Sequence, residues 1–206
     1  VEDQNIIAWD LQTRLISLGY PNSTIVASGE EAVQFTQRTP PDLVLMDIVL
    51  KGALDGIETA MQIRAQSQVP IVYVTAHSDE LTLRRANATE PYGYILKPFE
   101  DGEIRSTIEV ALYKHRTDQQ LRQSEARYRA IVEDQTELIC RFKADGTLTF
   151  VNDAYCRYFS KTRLELVGHT YLPLIPDEDQ AIAEASLSSL SQQNSTSTCQ
   201  HRVIVG

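Results

Sequence analysis

Cysteine is scarce in this chain. Only Cys140, Cys156 and Cys199 occur among 206 residues. Three is an odd number, and their spacing matches no metal motif. That excludes a disulfide framework and points to reduced thiols in a reducing compartment. No signal peptide is visible, and no apolar run is long enough to cross a bilayer. A cytoplasmic location and no membrane partner are therefore expected of this segment. Basic charge is also short, with 19 Lys and Arg against 28 Asp and Glu for a net charge of −9. Fifteen of those acids but only eight of the bases fall in residues 1–105. Such an excess argues against a nucleic-acid surface and fits a cluster of acids that holds a cation. Neither Gly nor Pro occurs between 103 and 135. There is no internal repeat, and the only biased tract is the Ser/Gln-rich stretch 186–197.

Hydrophobic residues make up 42% of the chain, enough for one large domain or two small ones. The run 43–50 is apolar with one carboxylate, Asp47, and reads as a buried strand with a charge at its end. Around it, residues 5–18, 28–39, 57–65 and 79–88 carry helical periods. Residues 24–27, 70–74 and 93–96 read as strands. Strands that alternate with helices predict βαβ units and a parallel sheet. From Asp101 onward the helical pattern runs unusually far, as one helix or as two with a joint near 117–118. Its apolar seam is thin and its flanks charged, which suits a connector that pairs with a second copy of itself. After Gln135 the composition shifts. Residues 137–143 and 147–151 predict a hairpin around Asp145-Gly146. A short helix at 152–159, an irregular stretch at 164–176, a helix at 177–190, a polar loop at 191–197 and a strand at 198–205 follow. The chain starts at Val1 without Met and ends in a strand-like run, so it reads as a segment of a longer protein.

In a parallel sheet the carboxyl ends of the strands share one edge, where ligands bind. Glu2 and Asp3, Asp47, Thr75 and Lys97 all fall at strand ends. Clustered acids repel one another unless a hard cation such as Mg²⁺ joins them. A carboxylate beside such a cation can act as nucleophile toward phosphorus and become an acyl phosphate. The phosphoryl oxygens then need a hydroxyl and a cation, roles open to Thr75 and Lys97. Before phosphorylation, Lys97 can pair with Asp47.

Glu2-Asp3, the Asp47 strand, Asp55-Gly56, Thr75-Ala76 and Lys97-Pro98-Phe99 together resemble the receiver domain of two-component signalling (the CheY-like response regulators). The resemblance covers about residues 1–115. It implies a flavodoxin-like doubly wound parallel sheet of order 2-1-3-4-5. It further implies Asp47 as phosphoacceptor, and Asp3 and Asp47 as direct Mg²⁺ ligands. Glu2 would be a ligand through water and the Val49 backbone carbonyl a further one. Thr75 and Tyr94 would form the conformational switch, and Val49 and His77 would tune the lifetime of the phosphate. A sensor histidine kinase or phosphotransfer protein would be the partner. One departure lies in the loop after Asp47. It lacks the family's proline and is one residue longer, with Lys51-Gly52 in that place. An Asp-nucleophile phosphohydrolase would want a second Asp two residues on, where Val49 stands. A phosphorylation-independent dimeric scaffold would not need the full acid set.

Residues from about 124 to 206 resemble a PAS sensor domain through Asp145-Gly146, Phe150-Val151-Asn152, Ala154-Tyr155 and Leu166-Val167-Gly168. The resemblance implies a partial α+β domain that stops after its third strand. No flavin-type Cys motif is present, and His169 is the only histidine near the expected pocket, so no PAS cofactor is expected. The expected organisation is a receiver at 1–115, a coiled-coil-like connector at 116–135 that dimerises together with the receiver face, and PAS at 136–206. None of the four histidines (His77, His115, His169 and His201) sits in a kinase-type helix motif, and no glycine-rich ATP segment is present. The segment is thus expected to be no enzyme beyond its own phosphotransfer and dephosphorylation. A parent histidine kinase or other output domain would lie after residue 206.

Overall fold

The helical period that follows Asp3 becomes α1 (Asn5–Ser17), which buries Ala8, Leu11 and Leu15. Ser28 then caps α2 (Gly29–Arg38), its hydroxyl accepting from the Glu31 amide at 3.3 Å. These elements belong to a computed structural model that describes residues 1–76, 80–189 and 196–205. The apolar run supplies strand β1 (Val44–Asp47). Asp55 opens α3 (Gly56–Gln66) with a capping box closed by Glu58. Strand β2 (Ile71–Thr75), α4 (Glu80–Asn87), strand β3 (Gly93–Leu96) and α5 (Asp101–Glu133) follow. The long apolar pattern after Asp101 is one unbroken helix of 33 residues. Of the two alternatives, one helix or two with a joint near 117–118, the first holds: beyond Gly102 in its first turn the helix has neither Gly nor Pro to break it.

β1, β2 and β3 lie side by side and parallel, with Asp47 opposite Val74 and Thr75 opposite Leu96. Beyond β1, the Val1 amino group donates to the Leu45 carbonyl at 2.6 Å, and the Asp47 amide donates to the Val1 carbonyl at 3.0 Å. On the far side of this segment the Glu2 amide donates to the Val26 carbonyl at 3.0 Å. The spatial order matches the expected 2-1-3-4-5, with residues 24–26 outermost, then Val1–Glu2, then β1, β2 and β3, although only the last three are strands. One expectation is corrected. Residues 24–27 form no strand of their own, because the chain beside them contributes only that one backbone bond.

The sheet is buried on both faces, as parallel sheets are. Met46, Ile71 and Tyr73 join Val33, Ile57 and Ile63 on one side. Val72 and Ile95 join Leu11, Leu15, Ile104, Ile108 and Ala111 on the other. Consecutive β2 residues thus point to opposite faces.

The chain divides into two units, Val1–Leu121 and Arg122–Gly206, with the division inside α5. In the second unit β4 (Cys140–Phe142) and β5 (Leu148–Val151) pair antiparallel around the predicted Asp-Gly turn. Then come α6 (Asp153–Phe159), α7 (Arg163–Leu166), a 3-10 turn at Leu172–Leu174, and α8 (Asp177–Ser188). Leu148, Val151, Tyr155, Phe159, Leu166 and Leu174 form its core. Two further expectations change here. The stretch predicted as irregular, 164–176, opens inside α7, which runs to Leu166. Residues 198–205, expected as a strand, are not one; Ile204 donates to the Leu174 carbonyl at 2.8 Å, and Arg202 grips Asp179 and Glu178 on α8. Most of the predicted polar loop, 191–195, and the last residue of the predicted helix, 190, lie outside the described residues.

Candidate functional site

Each residue of the acid set reaches the sheet edge by its own element. Glu2 and Asp3 follow the backbone bonds that fix Val1 beside β1. Asp47 ends β1 and Thr75 ends β2. Lys97 follows β3, where its amide donates to the Thr75 carbonyl at 2.8 Å. The Glu2, Asp47 and Thr75 side chains are buried. Glu2, Asp3 and Asp47 each offer a carboxylate oxygen, and these atoms all lie within 4.8 Å of one another.

Three carboxylates at that spacing cannot stand alone in a low-dielectric edge. Two lysines answer them. The Lys97 ammonium donates to Glu2 Oε2 at 2.6 Å and to Asp47 Oδ2 at 2.7 Å. The Lys51 ammonium lies 3.2 Å from Asp3 Oδ2. Burial opposes the charge on Lys97, yet its bonds to Asp47 and Glu2 prevail and hold its pKa above the usual lysine value. For Glu2 burial dominates and raises the carboxyl pKa, although Lys97 and the Gln4 amide (3.1 Å to Oε1) pull the other way. The other Asp47 oxygen, Oδ1, accepts from the Val49 amide at 3.1 Å. That bond turns the chain directly after the strand and leaves the Val49 side chain 73% exposed.

Gly56 is a further site residue whose role sequence reasoning missed, although its Asp-Gly pair was noted. A Cβ there would fall 1.8 Å from the Asp47 carbonyl oxygen, so the first turn of α3 can press against the end of β1 only as glycine. Asp55, besides capping α3, pairs with Arg85 of α4 at 2.8 Å. In the sequence Lys51 is only a departure in the loop, because nothing there says which acid a loop lysine meets.

Tyr94 sits opposite Tyr73 in the sheet register and stacks on it with ring centroids 5.8 Å apart. Its hydroxyl donates to Asn87 Oδ1 at 3.0 Å, at the end of α4. Tyr73 is fully buried, and its hydroxyl shares a 2.8 Å bond with Thr89; burial pushes its pKa up to about 12. Glu2, Asp3, Asp47 and Lys97 thus meet in one cluster, Thr75 lies beside it through the register, and Tyr94 lies one layer away along β3. His77 lies outside the described residues.

The residues present fit a divalent cation. Three hard oxygen donors converge, and the positive charge they require is at present supplied by two ammonium groups. Among the described residues no helix is long and apolar enough to cross a membrane.

Comparison with known proteins agrees with this geometry. The family model for the response regulator receiver domain matches residues 1–109, and that for the PAS fold matches residues 126–206. The transcriptional regulatory protein PdtaR of Mycobacterium tuberculosis is 34% identical over 115 residues, covering 56% of this chain and 56% of its own. Among solved structures, the signal receiver domain of a modulated diguanylate cyclase from Desulfovibrio desulfuricans G20 is 38% identical with a TM-score of 0.54, covering 57% of this chain and 93% of that one. The receiver domain of the sensor histidine kinase PA1611 from Pseudomonas aeruginosa PAO1, with a magnesium ion coordinated in its active-site cleft, is 32% identical with a TM-score of 0.51, covering 54% and 93%. The chain spans about half the length of the curated relatives it matches.

Proposed function

Because the chain belongs to the response regulator receiver domain family of two-component signalling and continues into a PAS fold, we propose that Asp47 accepts a phosphoryl group from the phosphohistidine of a sensor kinase or phosphotransfer protein. The observation that carries this reading is the buried Asp47 carboxylate, paired with Lys97 and within 4.8 Å of Glu2 and Asp3 through their ligand atoms. In the transfer an Asp47 oxygen attacks phosphorus. The P–N bond breaks, its electron pair stays on the imidazole, and an acyl phosphate remains. Asp3, Asp47 and the Val49 carbonyl would hold Mg²⁺ directly, and Glu2 would hold it through water. The cation supplies charge neutralisation for the phosphoryl oxygens. Lys97 is already within reach of Asp47 and would exchange part of its carboxylate pairing for a phosphoryl oxygen. PA1611, which carries magnesium in its cleft, lends the cation reading support.

Thr75 would turn toward the phosphoryl group, and Tyr94 would follow by leaving its bond to Asn87. That is a shift between two packings of the α4–β3 surface. Val49 and His77 would set how long the acyl phosphate lasts. The change would pass into α5 and on to the PAS unit. Leu121, Tyr128 and Ile131 are exposed apolar residues of α5 at spacings of seven and three, which supports pairing of this helix with that of a second copy. The segment would act in the cytoplasm without an enzymatic activity beyond its own phosphotransfer and dephosphorylation, and without a PAS cofactor.

Labelling with acetyl phosphate tests the chemistry. Label is expected only with Mg²⁺ present, lost on adding a chelator, and released by hydroxylamine as acyl phosphates are. Equal labelling in chelator, or a label stable to hydroxylamine, would overturn the reading.

A further inference from the structure

The lysine that meets Asp3 comes from outside the pocket. Lys51 is 84% exposed, whereas the Asp3 side chain it reaches is only 8% exposed. Its position is set by the loop between β1 and α3. Gly52 turns that loop at φ +146, and the next amide, Ala53, donates to Glu30 Oε1 of α2 at 3.1 Å. Tied down on that side, the loop holds its lysine over Asp3. The other two acids have a different counter-charge, the half-buried Lys97, which bridges Glu2 and Asp47 and lies in the sheet edge itself.

The two lysines therefore differ in kind. Lys97 is built into the edge and remains useful when phosphoryl oxygens arrive. Lys51 is an exposed head on a long stem, and it meets the one acid of the three that Lys97 does not. An exposed ammonium contributes little to folding. A cation that enters the cluster must take the Asp3 oxygens from it.

We infer that Lys51 is a tethered competitor for the cation site: its ammonium neutralises Asp3 while the site is empty, and a divalent cation binds only by displacing it. Lys51 thereby sets the cation concentration at which the pocket becomes ready for phosphotransfer. This rests on the reading of Glu2, Asp3 and Asp47 as cation ligands. The displacement is an exchange of ionic contacts, with no covalent change. The freed ammonium swings into solvent, where its hydration offsets the lost contact.

Calorimetric titration of the whole chain with MgCl₂, with no phosphodonor present, tests it. Lys51→Gln should bind Mg²⁺ about fivefold more tightly than the wild type, the scale of one partly exposed ion pair. Lys51→Arg keeps the charge and should bind as the wild type does. The gap between Lys51→Gln and wild type should narrow as NaCl is raised, since exposed charges are screened. Circular dichroism confirms that each variant is folded. If wild type and Lys51→Gln bind equally, or Lys51→Gln binds more weakly, the competitor role is overturned while the cation site stands. If the wild type binds no Mg²⁺, or Asp3→Asn binds as well as wild type, the cation-ligand reading itself fails and this inference with it.

Discussion

At the scale of single residues, the site is a balance of charge in a tight space. Lys97 is the member whose loss costs most, because Glu2 and Asp47 would be left buried and unpaired. Lys97→Met is expected to lower unfolding stability by about 3 kcal/mol in urea titrations. Added Mg²⁺ should restore part of it by supplying the missing charge. Gly56→Ala probes space instead of charge. Its Cβ would collide with the Asp47 carbonyl, so backbone must move, and a loss of about 2 kcal/mol is expected in the same titration. Asp179 tests the pH dependence. Hydrogen bonds from Arg202 hold its pKa down at about 2 against an ordinary 3.8. A depressed carboxyl pKa contributes stability that is present above the ordinary value and is lost as pH falls through the folded one. The hold of Arg202 on α8 should therefore weaken only between about pH 4 and 2. Carboxyl NMR should place the Asp179 midpoint near 2 in wild type and higher in Arg202→Ala, short of 3.8 because the backbone amide of residue 202 still donates to it. Of these residues Asp47, Thr75 and Lys97 were legible in the sequence because each ends a recognisable apolar strand, whereas Glu2 and Asp3 were legible only as paired acids after Val1. Lys51 and Gly56 were not, since their roles depend on which loop faces which acid.

At the scale of elements, the outcome depends on whether a segment carries its own hydrogen-bond partners. Helices do, and the long period after Asp101, open in the sequence to one helix or two, is one helix to Glu133. The α7 helix was missed although Thr162 and Glu165 form a capping box, a signal hidden by the glycine and prolines around it. Strands need a neighbour. Residues 24–27 and 198–205 have strand composition but no ladder beside them, and apolar alternation cannot supply one. The join between the last turn of α5 and the hairpin depends on Asn152. Its buried side chain accepts from the Ile139 and Tyr155 amides at 3.1 and 3.0 Å. It donates to the Val132 and Glu137 carbonyls at 3.2 and 2.9 Å. Asn152→Ala strands those groups and should destabilise the second unit by about 3 kcal/mol. Hydrogen exchange should rise over 122–189 and remain unchanged over 1–76.

At the scale of the whole molecule, the chain joins a receiver to a PAS fold through one continuous helix. If α5 pairs with a second copy, sedimentation should show a dimer. Placing charge in the seam with Leu121→Glu and Tyr128→Glu should give a monomer whose receiver still takes label. Signal would then run from Asp47 through β3 and α5, with pairing of the helices as the step that both units sense. All of this depends on Asp47 being the phosphorylated residue. The most direct measurement is intact-mass analysis and peptide mapping of the full chain after incubation with acetyl phosphate and Mg²⁺. The account predicts one phosphoryl group, on the peptide containing Asp47, and none on Asp47→Asn. A phosphoryl group on another peptide of the wild type, or one retained by Asp47→Asn, would contradict it.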